Sequence, residues 1–253
     1  MTAAPNEPVA DWLTLQTADG PMRLYRVRPG AANASKPPAA VIVLQEAFGV
    51  NDHIQDVTTR LAAEGFLALA PDLFHRAGVG TVEYPDHNKA MSLIGDLGPD
   101  PIVVDVGAVL AHLTDTEKIR ANRTAIVGFC FGGRAAFTAA TAFPVAGTVV
   151  FYGPGIAAGP HAVLDRTARI EGPVLMFVGD ADPTIPSDHV AAIEEAARRA
   201  GIDLRVDVFA GAGHAFHCDA RPALYVEDAA RKAWHDTIEF LTRTLRSDGR
   251  ESS

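Results

Sequence analysis

The sequence predicts an α/β protein built on an open, mostly parallel sheet of about eight strands, with helices on both faces. Three observations predict it. Several short runs are continuously apolar and rich in β-branched residues, as strands buried on both faces must be. Segments of helical period separate these runs, so strands and helices take turns along the chain. A single alternating pair of runs around a turn stands at the beginning, which adds antiparallel strands at one edge.

The elements follow in order. Trp12–Thr17 and Met22–Val27 alternate apolar and polar residues around the turn Ala18-Asp19-Gly20-Pro21. Beyond the loop 28–38, the run Ala39–Leu44 is a buried strand. Asn51 is placed to cap a helix whose Ile54, Val57 and Leu61 share one face and which ends near Gly65. Phe66–Ala70 is the next strand, stopped by Pro71, and Ile102–Leu113 the next helix. Strand Thr124–Phe129, helix Gly132–Ala142 and strand Gly147–Tyr152 continue the rhythm, then strand Val174–Gly179 and helix Ser187–Ala200 closed by Gly201. Strand Leu204–Phe209 precedes a last helix with Ala229, Ala230, Ala233, Trp234, Ile238 and Leu241 inward. Two excursions interrupt the series. Pro71–Pro101, with a short helix at Asn88–Leu93, is expected to fold over the sheet edge near the site, and Pro154–Pro173 is the second. The polar tail from Arg246 is expected to fray. No repeat or linker divides the chain, so one domain is expected over 1–253, with its core at about 12–243 and no large separate cap.

Composition removes several function classes. With 253 residues, 48% of them hydrophobic, the chain can fill a core without disulfides or structural metals. Its 22 Lys+Arg against 31 Asp+Glu give a formal charge of −9, which repels a phosphate backbone, so nucleic acid is not an expected partner. The two cysteines, Cys130 and Cys218, form no CxxC pair and no cluster at zinc spacing; neither a disulfide scaffold nor a zinc module is expected, and no metal or cofactor. The first residues lack the basic and apolar regions of a signal peptide, and no apolar run is long enough to span a membrane. A cytoplasmic protein without membrane contact is expected, monomeric or a homodimer.

The chemistry concentrates at three strand ends. Gly128-Phe129-Cys130-Phe131-Gly132-Gly133 follows an apolar strand and opens a helix. A G-x-C-x-G turn in that setting is a nucleophile elbow: the central side chain stands on a sharp turn, and small neighbours let strand and helix approach. The helix N-terminus favours negative charge on the Cys130 sulfur. The plainer alternative is a buried cysteine beside a glycine-rich packing turn. Gly179-Asp180-Ala181-Asp182-Pro183-Thr184-Ile185-Pro186 supplies a carboxylate after the next-to-last strand, and Gly211-Ala212-Gly213-His214-Ala215-Phe216 a histidine after the last. Nucleophile, acid, histidine is the chain order of the α/β-hydrolases, in which the histidine takes the nucleophile's proton and the carboxylate fixes its tautomer. Asp180 and Asp182 compete for the acid role. Asp182 is favoured because Asp180, directly after the strand glycine, suits a local turn bond. His217 is the near rival to His214 but lacks its Gly-x-Gly approach. At the end of the first buried strand, Gln45-Glu46-Ala47-Phe48-Gly49 stands where this architecture supplies an oxyanion-hole N–H, which assigns the donors to Ala47 and Phe131. Glu46 there is either a solvated or capping residue or part of the site.

These motifs, with Ala70-Pro71-Asp72-Leu73-Phe74, occur in one order over about residues 12–243, and together they resemble the dienelactone hydrolase family, cysteine-nucleophile α/β-hydrolases that include the carboxymethylenebutenolidases. The resemblance implies an ester or lactone hydrolase with a Cys130, His214, Asp182 triad and a thioacyl intermediate. It implies that Glu46 interacts with the thiol and helps form the thiolate, that Arg76 holds a substrate carboxylate, and that Tyr152 lines the site. One position departs from it: where the dienelactone-specific enzymes carry a second arginine four residues past the histidine, this chain has Cys218, with Arg221 three residues later. A neutral or differently shaped ester then gains ground over dienelactone, and a general carboxylesterase is the alternative. A binding protein that kept the pocket, and a redox role for Cys130 with Cys218, are the remaining readings.

Overall fold

The computed structural model describes residues 7–31, 33–34 and 38–246. Its single sheet has eight strands in the order β1-β2-β4-β3-β5-β6-β7-β8. They are β1 (Val9–Thr17), β2 (Gly20–Arg28), β3 (Ala40–Leu44), β4 (Leu67–Pro71), β5 (Thr124–Phe129), β6 (Gly147–Phe151), β7 (Val174–Gly179) and β8 (Leu204–Phe209). The helices are α1 (Asp52–Ala63), α2 (His87–Gly95), α3 (Pro99–Asp115), α4 (Phe131–Ala140), α5 (Ser187–Ala200) and α6 (Glu227–Arg246). β2 runs antiparallel to β1 and β4, and every pairing from β4 to β8 is parallel.

The continuous apolar runs are explained by their surroundings: β3, β4, β5, β6 and β7 are buried at every position. Alternate side chains serve opposite faces. Val41, Val43, Val127 and Phe129 pack with Ile54, Val57 and Leu61 of α1 and with Ala233 and Leu241 of α6. Ile42, Leu44, Leu69 and Ile126 pack with Ile102, Val106 and Val109 of α3 and with Ala135 and Ala139 of α4. Each Val, Leu or Ile so buried contributes about 1.5–3 kcal/mol. α1 begins where Asn51 predicts, its side chain accepting the Ile54 N–H at 3.2 Å.

Where boundaries differ from expectation, the reasons are local. β1 starts at Val9 rather than Trp12 because this edge strand is defined by pairing with Arg28, Val27 and Arg26 and not by burial; Asp11 and Arg26 also form an ion pair. α3 starts at Pro99, since proline at the first helical position gives up no intrahelical bond. Tyr152, expected to end β6, has left the strand with φ of 36°. The tail from 247 on lies outside the described residues. Among the described residues no helix is long and apolar enough to cross a membrane.

The topology also fixes where a site can form. The chain proceeds from β3 to β4 on one side and resumes at β5 on the other, so a crevice opens between the carboxyl ends of β3 and β5, where Leu44 pairs with Gly128.

Candidate active site

Cys130 stands at that crevice. It is the residue between β5 and α4, with φ 55° and ψ −120°, a backbone conformation few side-chain-bearing residues adopt. Its N–H donates to the Phe151 carbonyl at 3.0 Å, and its own carbonyl accepts from the Gly133 N–H at 2.8 Å. The turn closes only because its neighbours lack Cβ atoms. A Cβ at Gly128 would lie 1.9 Å from the Gly132 carbonyl oxygen, and one at Gly132 would lie 2.2 Å from the Leu44 oxygen and 2.5 Å from that of Gln45. The second contact sets the start of α4 directly against the end of β3, which carries Glu46 and Ala47. Phe131 is the first residue of α4, so its N–H has no earlier turn of the helix to bond.

His214 comes from the loop after β8 and meets the elbow: its Nε2 is 3.0 Å from Cys130 Sγ. On the far side of the ring Nδ1 is 2.7 Å from Asp182 Oδ2. Asp182 is held by a neighbour that sequence reasoning missed. Its other oxygen, Oδ1, accepts the Thr184 N–H at 2.8 Å and the Thr184 hydroxyl at 2.6 Å. Burial opposes ionisation of Asp182, but the His214 and Thr184 bonds outweigh it and hold the carboxyl below its usual range. Burial likewise opposes the imidazolium, yet Asp182 and the Cys130 sulfur raise His214 to about 10. Asp180 plays the local part: its Oδ1 accepts the Gly211 N–H at 2.6 Å and so ties down the loop that carries His214. Of the four non-glycine residues with positive φ among the described residues, Cys130, Tyr152 and Ala215 all belong to this locality, as strain concentrated at a functional site would have it.

The other expected residues sort unevenly. Ala47 is buried at the β3 end beside α4. Glu46 is buried too, and its Oε1 accepts the Tyr152 hydroxyl at 3.4 Å while the thiol faces His214. Tyr152 is fully buried, edge-on to the His214 ring with centroids 5.3 Å apart, so it supports the imidazole from beneath. Arg76 is not brought into the group. Its guanidinium is paired with Asp105 at 2.7 Å and Asp19 at 2.6 Å, which ties α3 to the β1–β2 turn. His217 is packed between Phe151 and Trp234, and burial with neighbouring cations lowers it to about 3, which removes it as a rival base.

Cys218, in place of the expected arginine, is a buried free thiol 3.7 Å from the Tyr84 hydroxyl. Burial, then Glu46, pushes that thiol up to about 12. Arg221 lies over the Phe48 and Tyr84 rings at 5.3 and 5.2 Å. Tyr84 belongs to the excursion 71–101, expected to fold over the sheet edge near the site, where Thr81 bridges Gly49 and the Val82 N–H donates to the Phe48 carbonyl; nothing in its sequence singled out Tyr84. His53, in the first turn of α1, is buried beside Glu46 and Cys218.

A thiol 3.0 Å from an imidazole that a carboxylate orients can lose its proton to that ring and attack a carbonyl, and the N–H at the start of α4 can bond the oxyanion that results.

Comparison with known proteins agrees with this geometry. The model of the Dienelactone hydrolase family matches residues 23–245. A Yersinia pestis protein named "Putative carboxymethylenebutenolidase" is 34% identical over 236 residues, covering 91% of this chain and 86% of its own. One of the same name from Methylorubrum extorquens is 36% identical over 236 residues, covering 90% of this chain and 79% of its own. Among solved structures, the "Putative Dienelactone Hydrolase" of Klebsiella pneumoniae superimposes with a TM-score of 0.82 at 29% identity, over 94% of this chain and all of that one.

Proposed function

The chain belongs to the dienelactone hydrolase family and is a carboxylic ester hydrolase, and on that premise we propose that it cleaves esters or lactones through a Cys130–His214–Asp182 triad. The observation that carries this reading is the pair of contacts on one imidazole, Sγ at 3.0 Å from Nε2 and Oδ2 at 2.7 Å from Nδ1. Asp182 accepts a hydrogen bond from the Nδ1–H and stays ionised, which leaves Nε2 to exchange the proton with sulfur. His214 takes the Cys130 proton as sulfur attacks the acyl carbon, and the Phe131 and Ala47 N–H groups bond the oxyanion. The tetrahedral adduct collapses with loss of the alkoxide, which takes its proton from His214, leaving the acyl group on sulfur. Water then gives a proton to His214 and adds to the thioester; breaking the C–S bond releases the acid and restores the thiol. Glu46, bonded to Tyr152, would turn to the thiol as substrate enters and help ionise it.

The substrate is proposed to be a neutral or weakly anionic ester or lactone rather than a strictly dienelactone-like acid. Cys218 stands where a second arginine would clamp a carboxylate, and Arg76 already holds Asp19 and Asp105. Arg221, over the Phe48 and Tyr84 rings, and Arg134, whose Nη1 is buried without a hydrogen bond and whose charge is felt at Cys130, are the cations left for an acidic group. Hydrolysis of a small activated ester and of a dienelactone, by wild type and Cys130→Ala, tests this. Cleavage of the ester that is lost in Cys130→Ala is expected, with dienelactone slower. A Cys130→Ala variant as active as wild type would refute the triad, and dienelactone as the faster substrate would refute the substrate reading.

A further inference from the structure

Glu46, His53 and Cys218 come from three separate stretches: the end of β3, the first turn of α1 and the loop after His214. Their ligand atoms all lie within 4.8 Å of one another. All three are buried, at 1%, 3% and 0% exposure. Polar atoms there are left without hydrogen bonds: Glu46 Oε2 and His53 Nε2 have no partner, while His53 Nδ1 is turned to Asp219 Oδ1 at 3.3 Å. Unpaired buried polar groups are costly, and a buried carboxylate more so unless a cation meets it. An orphaned carboxylate oxygen and an orphaned imidazole nitrogen beside a buried thiol call for an occupant that accepts electron pairs from all three side chains.

We propose that Glu46, His53 and Cys218 form a binding site for a divalent transition-metal ion, with zinc as the fitting species. Carboxylate, imidazole and thiolate together are a donor set of borderline softness that suits zinc and disfavours calcium or magnesium. The charges close: one carboxylate and one thiolate against a 2+ ion leave the buried cluster neutral. Tetrahedral zinc with bonds of about 2.0–2.3 Å sets its ligand atoms about 3.3–3.8 Å apart, so the three side chains need close by only about 1 Å. Water fills the fourth position. Binding displaces the Cys218 proton to solvent as the S–Zn bond forms. Asp219 Oδ1, 3.3 Å from His53 Nδ1, is the kind of carboxylate that steadies a metal-bound imidazole. A cavity of about 370 Å³ bordered by Asn51, Thr81, Tyr84 and Ala220 reaches His53.

The triad also offers a thiol and an imidazole, so the test is made in the Cys130→Ala background, where failure of the esterase reading has no bearing on the outcome. Titration of this protein with zinc chloride is expected to show one equivalent bound, and cobalt(II) to give a thiolate-to-metal charge-transfer absorption in the near ultraviolet. Adding Cys218→Ser should abolish that absorption and weaken zinc by at least about 100-fold, and His53→Gln should weaken it comparably. Cys218→Ser is nearly isosteric, so it serves should His53→Gln fail to fold. Absence of binding in the Cys130→Ala protein, or binding and absorption unchanged by Cys218→Ser, would overturn the site.

Discussion

Replacing Asp182 by asparagine tests the proposed triad at the level of single protons. Asp182 Oδ1 accepts two donors, the N–H and hydroxyl of Thr184, and Oδ2 faces His214 Nδ1. An asparagine must therefore keep its carbonyl oxygen at the Oδ1 position and set its NH₂ where Oδ2 was. That NH₂ can only donate, so Nδ1 must become the acceptor and the ring proton moves to Nε2, which faces Cys130 Sγ at 3.0 Å. The ring can then no longer take the thiol proton. A wrong tautomer in a triad costs about 10⁴-fold, so kcat/KM for an activated ester should fall about 10³- to 10⁴-fold, or about 4–5.5 kcal/mol of transition-state stabilisation. Asp180→Asn leaves the carbonyl oxygen that accepts the Gly211 N–H and should stay within about threefold. The assay is kcat/KM at neutral pH, with thermal melts to show that both variants fold. The reasoning is refuted by an Asp182→Asn protein within tenfold of wild type, or by Asp180→Asn as the more damaging change.

Other predictions concern backbone, burial and the second carboxylate shell. Burial raises Asp72 to about 6 from 3.8, so the fold prefers its protonated form; the resulting penalty sets in as pH rises from 3.8 and is complete above about 6. Asp72→Asn, which keeps an oxygen for the Phe74 N–H, should raise unfolding free energy by about 1–3 kcal/mol at about pH 8 and leave it unchanged at about pH 4 in urea melts. Cys130→Gly should be inactive yet about 1 kcal/mol more stable than Cys130→Ala, because only glycine relaxes at φ 55°. Gly132→Ala, whose Cβ would meet two carbonyl oxygens below 2.6 Å, should lose activity and at least about 3 kcal/mol of stability by chemical denaturation. Thr184→Val should lower kcat roughly tenfold with KM unchanged, since it removes one of two donors that aim Asp182; an effect on KM alone would count against that role.

The sheet, its helices and the three strand-end residues were legible because each is written locally. Apolar runs mark β3 to β7, Asn51 marks a helix start, and glycines mark the turns that Cys130 and His214 ride on. Asp182 and Asp180 differ in distance from the strand end, and they bond differently: Asp182 faces His214, Asp180 the Gly211 N–H. Other features depend on distant meetings. Asp19 and Asp105 claim Arg76 from elements 57 and 29 positions away, and no local pattern announces such pairing. His53 reads as a helix residue like any other, and only the packing of α1 beneath the sheet end brings it to Glu46 and Cys218. Thr184 did carry a signal, a threonine two places after an aspartate, which is a turn able to close on that carboxylate.

The close approach of Gly132 to the Leu44 and Gln45 carbonyls has a consequence for how this catalyst could change. If Cys130 is the nucleophile proposed above, its sulfur's position is set by Gly128, Gly132 and the main chain around them, none of which senses what element sits at the tip of residue 130. Nucleophile identity and nucleophile placement are therefore inherited separately. An oxygen could succeed the sulfur by one substitution with the scaffold intact, and selection would then act only on the proton-transfer partners, whereas a gain of a single methyl group at position 128 or 132 would end the lineage's chemistry whatever the nucleophile.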